Sequence, residues 1–207
     1  MSELKKYFLD YKSDEGRGVY KNYSYCSVYD SLLTKYRDKE VSLLEIGIGY
    51  GGCLQMWKSY LGQHSQIYGI EMVDRLAFSE ERIKIFIGNQ GDKEFLKATF
   101  SSLPELDVII DDGSHLSRDQ IASFEEGFLH LKSGGLYFCE DTHTSYRELY
   151  EGGYKKPGTF IEYCKDIIDF LHFTEDPLIP KKDSWQLIDS ITFYSSLVVI
   201  KKRPGNV

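Results

Sequence analysis

The chain has 207 residues, the size of one ordinary domain with room for a substantial core. With 42% hydrophobic and 28% charged residues, no repeat and no low-complexity tract, it reads as globular, with disorder expected only at the termini. A net charge of -7 argues against a nucleic-acid backbone as partner, and the tail "IKKRPG" is too short to make a basic face.

The opening "MSELKKYFLDYKSDEG" has no apolar run suited to a signal peptide, and no later segment has the length to span a bilayer. A cytoplasmic protein with no membrane partner is expected. Cys26, Cys53, Cys139 and Cys164 lack CxxC or metal-finger spacing, so they read as reduced thiols. The sequon Asn22-Tyr23-Ser24 is then a chance match.

In chain order, Val28, Tyr29, Leu32, Leu33 and Tyr36 recur at helical spacing and predict an amphipathic helix. "VSLLEIG" reads as a buried strand ending in glycines, and "GCLQMWKSYLG" as a helix stopped by Gly62. "IYGIE", "IKIFIG", "LDVIID" and "GLYFCE" follow as short strands separated by segments of helical character, including "DKEFLKATF" and "SRDQIASFEEGFLHL". "TFIEYCKDIIDFLHF" is a long helix, and "WQLIDSITFYSSLVVIKK" reads as two adjacent strands. Alternation of strand and helix predicts a mostly parallel sheet with helices on both faces, closed by a C-terminal antiparallel hairpin. A single domain is expected, with residues 1–40 as a helical lid segment and 41–207 as the domain proper.

In such sheets ligands gather at the carboxyl ends of strands. The acidic clusters lie there: Glu45, Glu71, Asp111 with Asp112, and Glu140 with Asp141. Each alone could be a solvated turn carboxylate, but four together point to a site.

"EIGIGYGG" places Gly47, Gly49, Gly51 and Gly52 between strand and helix. The spacing matches the dinucleotide fingerprint, with Glu71 where a ribose-binding acid belongs. Glu45 argues against a pyrophosphate, which a carboxylate entering the loop would repel. It favours the cationic ammonium and sulfonium of S-adenosylmethionine. "GNQGD", residues 88–92, sits where the next strand end could meet the adenine.

Asp112 and His115 are three residues apart, and Glu140-Asp141 arrives from the neighbouring strand end. Hard oxygen donors from two loops suit magnesium, and a histidine beside the metal could take a hydroxyl proton. That combination suits methyl transfer to an alcohol. The alternative is that Asp111 and Asp112 cap the helix near Ser117 while His115 satisfies a backbone group. His143, in "EDTHTSY", is a second candidate base or substrate contact, or a surface histidine. Tyr146 and Trp57 suit stacking on a ring and core packing equally.

"LLEIGIGYGGCLQMW", "IYGIE", "GNQGD", "DVIIDDGSH", "SFEEGFLHLKSGGLYFCEDTHTSY" and "ITFYSSLVVIKK" together resemble the metal-dependent sugar O-methyltransferases of macrolide biosynthesis, from about Leu43 to Lys202. Cephalosporin-hydroxylase-like proteins share the pattern. The resemblance implies a Rossmann-like class I methyltransferase fold with a seven-stranded sheet. It implies Mg2+ on Asp112, Glu140 and Asp141, and His115 as general base. It implies S-adenosylmethionine against Gly47, Gly49 and Gly51, with Glu71 on the ribose. Gln90 and Asp92 match the cofactor-side motif, with Asn89 replacing an aspartate usual there, and Asp111 is placed either behind the metal ligands or near the methionine end of the cofactor. "YKSDEGRGVYKNYSYCSVYDSLL" varies the family's N-terminal pattern, with Glu15 for lysine and no histidine.

The expected function is S-adenosylmethionine-dependent, magnesium-assisted methylation of a sugar hydroxyl, in a nucleotide sugar, a glycan precursor or a glycosylated natural product. Self-association is expected by analogy. Another small-molecule O-methyltransferase or a hydroxylase-like enzyme on the same fold is the first alternative, and a cofactor-binding protein without turnover the second. A nicotinamide-dependent dehydrogenase is the third.

Overall fold

Three runs of β-branched and aliphatic residues set the frame of the N-terminal half: β1 (Val41–Ile46), β2 (Ser65–Glu71) and β3 (Ile83–Ile87). They pair in parallel in the order β3-β2-β1, with Leu43 opposite Ile67 and Ile67 opposite Ile83. β1 buries Val41, Leu43, Leu44, Glu45 and Ile46, the near-continuous burial of a strand covered on both faces. The computed structural model describes residues 3–10 and 17–205, in two compact units, Met1–Asn89 and Gln90–Val207. Glu15 lies outside the described residues.

The first unit also carries α1 (Glu3–Asp10), α2 (Tyr23–Leu33) and α3 (Gly52–Leu61). α2 is the helix expected from the Val28–Tyr36 spacing. It starts where it does because the Asn22 side chain accepts from the Ser24 N–H, satisfying an orphan donor of the first turn. The asparagine of the chance sequon is therefore an N-cap. α3 stops at Gly62, whose φ of 90° ends the helix as expected. Trp57 and Tyr29, both fully buried, meet edge to face at 5.0 Å in the core of this unit.

One expectation fails here. The segment between β2 and β3 forms only a short 3-10 turn, Leu76–Phe78, and no α-helix. Asp74 Oδ1 accepts from the Leu76 N–H at 3.0 Å and opens the turn, but the chain leaves it in extended conformation at Ser79, just before the Glu80–Ile83 bridge.

Beyond that turn, Glu80 ties three elements together. Its carboxylate takes Lys58 Nζ from α3 at 2.5 Å and Arg17 Nη1 from the N-terminal segment at 3.1 Å. Burial pushes Glu80 up, but hydrogen bonds from Lys58, Gln55 and Arg17 outweigh it and hold the carboxyl at about 2. The folded value is depressed, so the stabilisation is present above the unfolded value of 4.5 and is lost as pH falls from there toward 2. With the side chain 32% exposed, screening reduces the contribution to about 1–2 kcal/mol. Glu80→Gln is expected to lower unfolding free energy by that amount at pH 7. The deficit should shrink as urea melts are repeated at lower pH, and a deficit independent of pH would sink the assignment.

The second unit contains β4 (Leu106–Asp111), β5 (Leu131–Cys139), β6 (Ile188–Tyr194) and β7 (Leu197–Lys202), with α4 (Lys93–Ser101), α5 (Ser117–Leu129) and α6 (Phe160–His172). β4 and β5 are parallel, β5 and β7 antiparallel, and β7 pairs antiparallel with β6. The terminal hairpin is thus the one expected, and it turns through Ser195 and Ser196, with Ser196 at φ 61°. α5 ends at Leu129, so Leu131, expected at the end of the helical run, opens β5 instead. Seven strands in all make the expected mixed sheet. In this unit Phe124, Tyr163 and Trp185 build an aromatic core in which Trp185 Nε1 donates to Tyr163 Oη at 2.9 Å. The four cysteines are buried and none is in a disulfide, and among the described residues no helix is long and apolar enough to cross a membrane.

Candidate cofactor loop and metal cluster

β1 runs out into the glycine loop of the first unit. Gly49 and Gly51 adopt φ of 51° and 76°, which side chains rarely tolerate. A Cβ on Gly49 would meet nothing within 4 Å among the described residues, so no packing by them accounts for this glycine. The open backbone there is a cradle that a ligand can approach closely. A Cβ on Gly52 would instead overlap the Gly18 carbonyl, because residues 17–21 lie directly on the loop, with the Tyr20 and Tyr50 rings 5.8 Å apart. Arg75 Nε closes another side by donating to the Gly49 carbonyl at 3.1 Å.

Two carboxylates serve this loop. Glu71 accepts from the N–H groups of Ile48 and Gly49 at 3.1 and 2.9 Å, and from Met72 and Val73 at 2.9 and 3.3 Å. It joins the end of β2 to the loop. Glu45 is buried, and Lys21 Nζ stands 2.8 Å from its Oε1 with both side chains almost wholly enclosed. The cation that Glu45 was expected to favour is, in the protein alone, the chain's own ammonium. Removing one partner of such a pair typically costs about 3–5 kcal/mol. Nothing in "VYKNY" distinguishes a lysine that turns inward, so Lys21 is not recognisable from sequence. Gly47, at φ 83°, opens the loop, and Asn89 lies exposed just beyond β3.

In the second unit, β4 delivers two adjacent aspartates to different environments. Asp111 points inward, 1% exposed, and accepts from Gln90 Nε2 and Tyr137 Oη at 3.1 Å each and from the Gly113 N–H at 3.3 Å. Burial pushes its carboxyl up to about 6, against the pull of those hydrogen bonds. Burial, with the charge of Asp111, also pushes the Tyr137 hydroxyl well above its ordinary range. Asp112 lies in a cluster with His115 and Asp141, their potential ligand atoms all within 4.8 Å of one another. Asp112 is also within 4.8 Å of the buried Glu140 carboxylate. His115 Nε2 lies 3.9 Å from Asp112 Oδ1 and 3.8 Å from Asp141 Oδ2, while its Nδ1 is buried and has no hydrogen-bond partner among the described residues.

His115 and Asp141 both adopt left-handed backbone, φ 58° and 52°, a costly choice for histidine. The Thr144 hydroxyl holds both bends by donating into the His115 and Asp141 carbonyls, at 3.0 and 2.8 Å. Gln90 anchors the other side of the loop. Its Nε2 donates to Asp111 and to Ser123 Oγ, and its Oε1 accepts from the Ser114 N–H at 2.6 Å. Ser114 Oγ donates to Asp119 Oδ2 and accepts from the Leu116 N–H. The N-cap of α5 is Leu116, with no side-chain cap, so neither Asp111 nor Asp112 caps that helix. Asp92 does cap one, accepting from the Glu94 and Phe95 N–H groups at the start of α4. His143 Nδ1 sits 2.5 Å from Ser196 Oγ on the hairpin turn and 3.9 Å from Asp141 Oδ1. Thr144 and Ser196 escaped the sequence reading. A hydroxyl after "ED" and a serine in a hairpin turn carry no signal until the fold brings them to the cluster.

The order of elements, the mixed sheet and the glycine loop after β1 are those of the class I methyltransferases, and the chain has that fold. It superposes on the MycE methyltransferase of the mycinamycin biosynthetic pathway, solved in complex with Mg and SAH, with a TM-score of 0.83 and 30% identity over 98% of this chain and 54% of that one. No protein-family model matches the chain. Among characterised proteins it is 31% identical over 195 residues to the 8-demethyl-8-alpha-L-rhamnosyl tetracenomycin-C 2'-O-methyltransferase of Streptomyces olivaceus, covering 89% of this chain and 51% of that protein. It is 37% identical over 165 residues to the mycinamicin VI 2''-O-methyltransferase of Micromonospora griseorubida, covering 74% and 41%. Over 185 residues it is 36% identical to the L-olivosyl-oleandolide 3-O-methyltransferase of Streptomyces antibioticus, covering 84% and 47%. The chain is a homologue of the sugar O-methyltransferases of macrolide and tetracenomycin pathways, and it spans about half the length of the curated relatives it matches.

Proposed function

We propose that this chain catalyses magnesium-assisted methyl transfer from S-adenosylmethionine to a sugar hydroxyl of a glycosylated natural product. The observation that carries the reading is the convergence of Asp112, His115 and Asp141 within 4.8 Å, with Glu140 beside Asp112 and a buried imidazole nitrogen of His115 that has no hydrogen-bond partner among the described residues. Hard carboxylate oxygens with one histidine alongside fit a divalent cation of the magnesium class. Asp112, Glu140 and Asp141 would hold it, and when bound it would supply charge neutralisation and acidify a nearby hydroxyl. Asp111, enclosed by Gln90 and Tyr137, supports the loop from behind.

The chain's own residues do the rest. Gly47, Gly49 and Gly51 let the cofactor approach the backbone, with Glu71 at the end of β2 as the acceptor for its ribose. Residues 17–21 lie on the same loop, which supports a lid role for the stretch up to residue 40 over a domain formed by 41–207. His115 takes the proton of the acceptor hydroxyl as its oxygen bonds to the methyl carbon and the C–S bond breaks, its electron pair leaving with the neutral thioether, and Asp112 and Asp141 steady the imidazolium that results. His143, fixed by Ser196, orients the acceptor. The geometry also calls for alignment of the hydroxyl oxygen behind the methyl group before transfer. A cytoplasmic enzyme that self-associates completes the proposal.

Isothermal titration of S-adenosylmethionine and of NAD, with and without Mg2+, tests it. Binding of the first and not the second, followed by radiolabel transfer to a glycoside acceptor only with Mg2+, is the expected result. Absence of S-adenosylmethionine binding under every condition would overturn the reading.

A further inference from the structure

We propose that Tyr150 is a positioning residue: its ring, packed against His115, aims the imidazole that takes the proton of the acceptor. The proposal rests on the functional reading above and deepens it by naming what holds the base in line. A general base works only when its nitrogen is aimed at the proton it removes, and a histidine in that role is usually aimed by a hydrogen bond to its other nitrogen. Among the described residues nothing aims His115 that way. Its Nδ1 is buried with no hydrogen-bond partner there, and its Nε2 stands 3.9 and 3.8 Å from the Asp112 and Asp141 carboxylates, beyond hydrogen-bond reach. The Thr144 hydroxyl holds the His115 carbonyl, which fixes the backbone and leaves rotation about the side-chain bonds open. What meets the ring itself is Tyr150, edge to face with 6.3 Å between centroids and 64° between planes, within the range of a favourable aromatic pair.

The chain around Tyr150 is built to keep it there. Tyr150 closes a short 3-10 turn, Glu148–Tyr150, and the backbone then folds straight back on itself. The Gly152 N–H donates to the Arg147 carbonyl at 2.8 Å, and the Gly153 N–H to the Ser145 carbonyl at 2.9 Å. The return is so tight that a Cβ on Gly152 would stand 2.5 Å from the carbonyl oxygen of Thr144, the residue whose hydroxyl holds His115. Glu151 takes left-handed backbone, φ 59°, and places both carboxylate oxygens 2.6 Å from Arg118 Nη1 in the first turn of α5. That exposed ion pair is weak alone, but it ties the Tyr150 turn to the helix that the His115 loop runs into. Strained backbone at Glu151 and at His115 on either side of one ring contact is costly for a mere surface turn, and suits a turn that must present Tyr150 at one place.

The test compares Tyr150→Ala and Tyr150→Phe with the unaltered chain, each whole and carrying isotope-labelled histidine, with Mg2+ and S-adenosylhomocysteine added. Nuclear relaxation of the His115 Cε1–H group, assigned by its loss in His115→Asn, reads how far the imidazole swings. Tyr150→Ala should lower the order parameter of that ring, and Tyr150→Phe, which keeps the aromatic face, should leave it as in the unaltered chain. In radiolabel transfer to 4-methylumbelliferyl α-L-rhamnopyranoside, Tyr150→Ala should lower kcat by about tenfold to a hundredfold with little change in KM, the scale of a misaimed catalytic group, and Tyr150→Phe should restore it. S-adenosylhomocysteine affinity should be the same in all three, which a general loss of fold would not allow. An imidazole equally ordered in Tyr150→Ala would overturn the proposal. So would a raised KM with unchanged kcat, which would make Tyr150 a contact of the acceptor, or a Tyr150→Phe variant as impaired as Tyr150→Ala, which would put the effect in the hydroxyl. Failure of the functional reading gives a different pattern, namely no methyl transfer by the unaltered chain while Tyr150→Ala still loosens the imidazole.

Discussion

Asp112→Ala should lower magnesium-dependent methyl transfer by about a thousandfold or more, the range set by losing a metal's stabilisation of developing charge. Asp112 is the common member of the cluster, within 4.8 Å of both the His115–Asp141 pair and Glu140. The variant should nevertheless fold. The Asp112 side chain is 15% exposed and lies among like charges, so truncating it removes repulsion in the metal-free protein. Metal-free thermal stability is expected to hold or rise slightly, while the added stability that Mg2+ gives by binding only the folded state disappears. A thermal-melt series against Mg2+ concentration checks both halves. A variant that keeps the full magnesium-induced rise in melting temperature would show that Asp112 is not a ligand, whatever its activity. Asp111→Asn is the informative control. Its carboxylate faces Gln90 and Tyr137, so it should change stability more than magnesium response.

How much of this was legible beforehand depends on the range of the interactions involved. Strands such as "LDVIID" and the terminal hairpin declare themselves through composition and spacing, because burial on a sheet is local in its demands. The Gly62 stop was readable for the same reason. The β2–β3 connection was not, since its apolar residues would suit a helix and only the fold shows the chain turning extended at Ser79 toward the Glu80–Ile83 bridge. At the site, the carboxylates could be picked out by their positions at strand ends. Their division of labour could not. Asp111 and Asp112 are identical as letters, and only the pleat of β4 sends one to Gln90 and the other to His115. Glu45 attracted attention as an acid at a strand end, but Lys21, 24 positions earlier, reaches it only once the N-terminal segment lies on the glycine loop. Thr144 and Ser196 are the extreme cases, hydroxyls whose partners lie far off in sequence, at His115 for one and His143 for the other.

Gly113→Ala is the second large effect expected, and it works through a residue that never touches a ligand. A methyl group at Gly113 would fall on the Gln90 side-chain amide, only 2.7 Å from its Cδ. The end of a glutamine usually swings aside at little cost. Here it cannot, because that amide donates to Asp111 Oδ1 and Ser123 Oγ and accepts from the Ser114 N–H, all in buried or half-buried surroundings. Displacing it strips one donor from a buried carboxylate and unmakes two further bonds, so a loss of about 2–4 kcal/mol is expected. The same loop carries Asp112 and His115, and without its anchor magnesium affinity should fall about tenfold to a hundredfold, the usual scale for removing support behind a ligand. Gly49→Ala makes the contrast. Its added methyl meets nothing within 4 Å among the described residues, leaving about 1–2 kcal/mol of left-handed strain and a direct obstruction to cofactor approach. A double-mutant cycle separates steric eviction from any other fault at Gly113. If the methyl acts by expelling Gln90, then Gln90→Ala alone should cost about as much as Gly113→Ala, and the two together should cost scarcely more than either. Additive losses in urea denaturation would mean that Gly113 matters for a reason other than the space its hydrogen leaves for that amide.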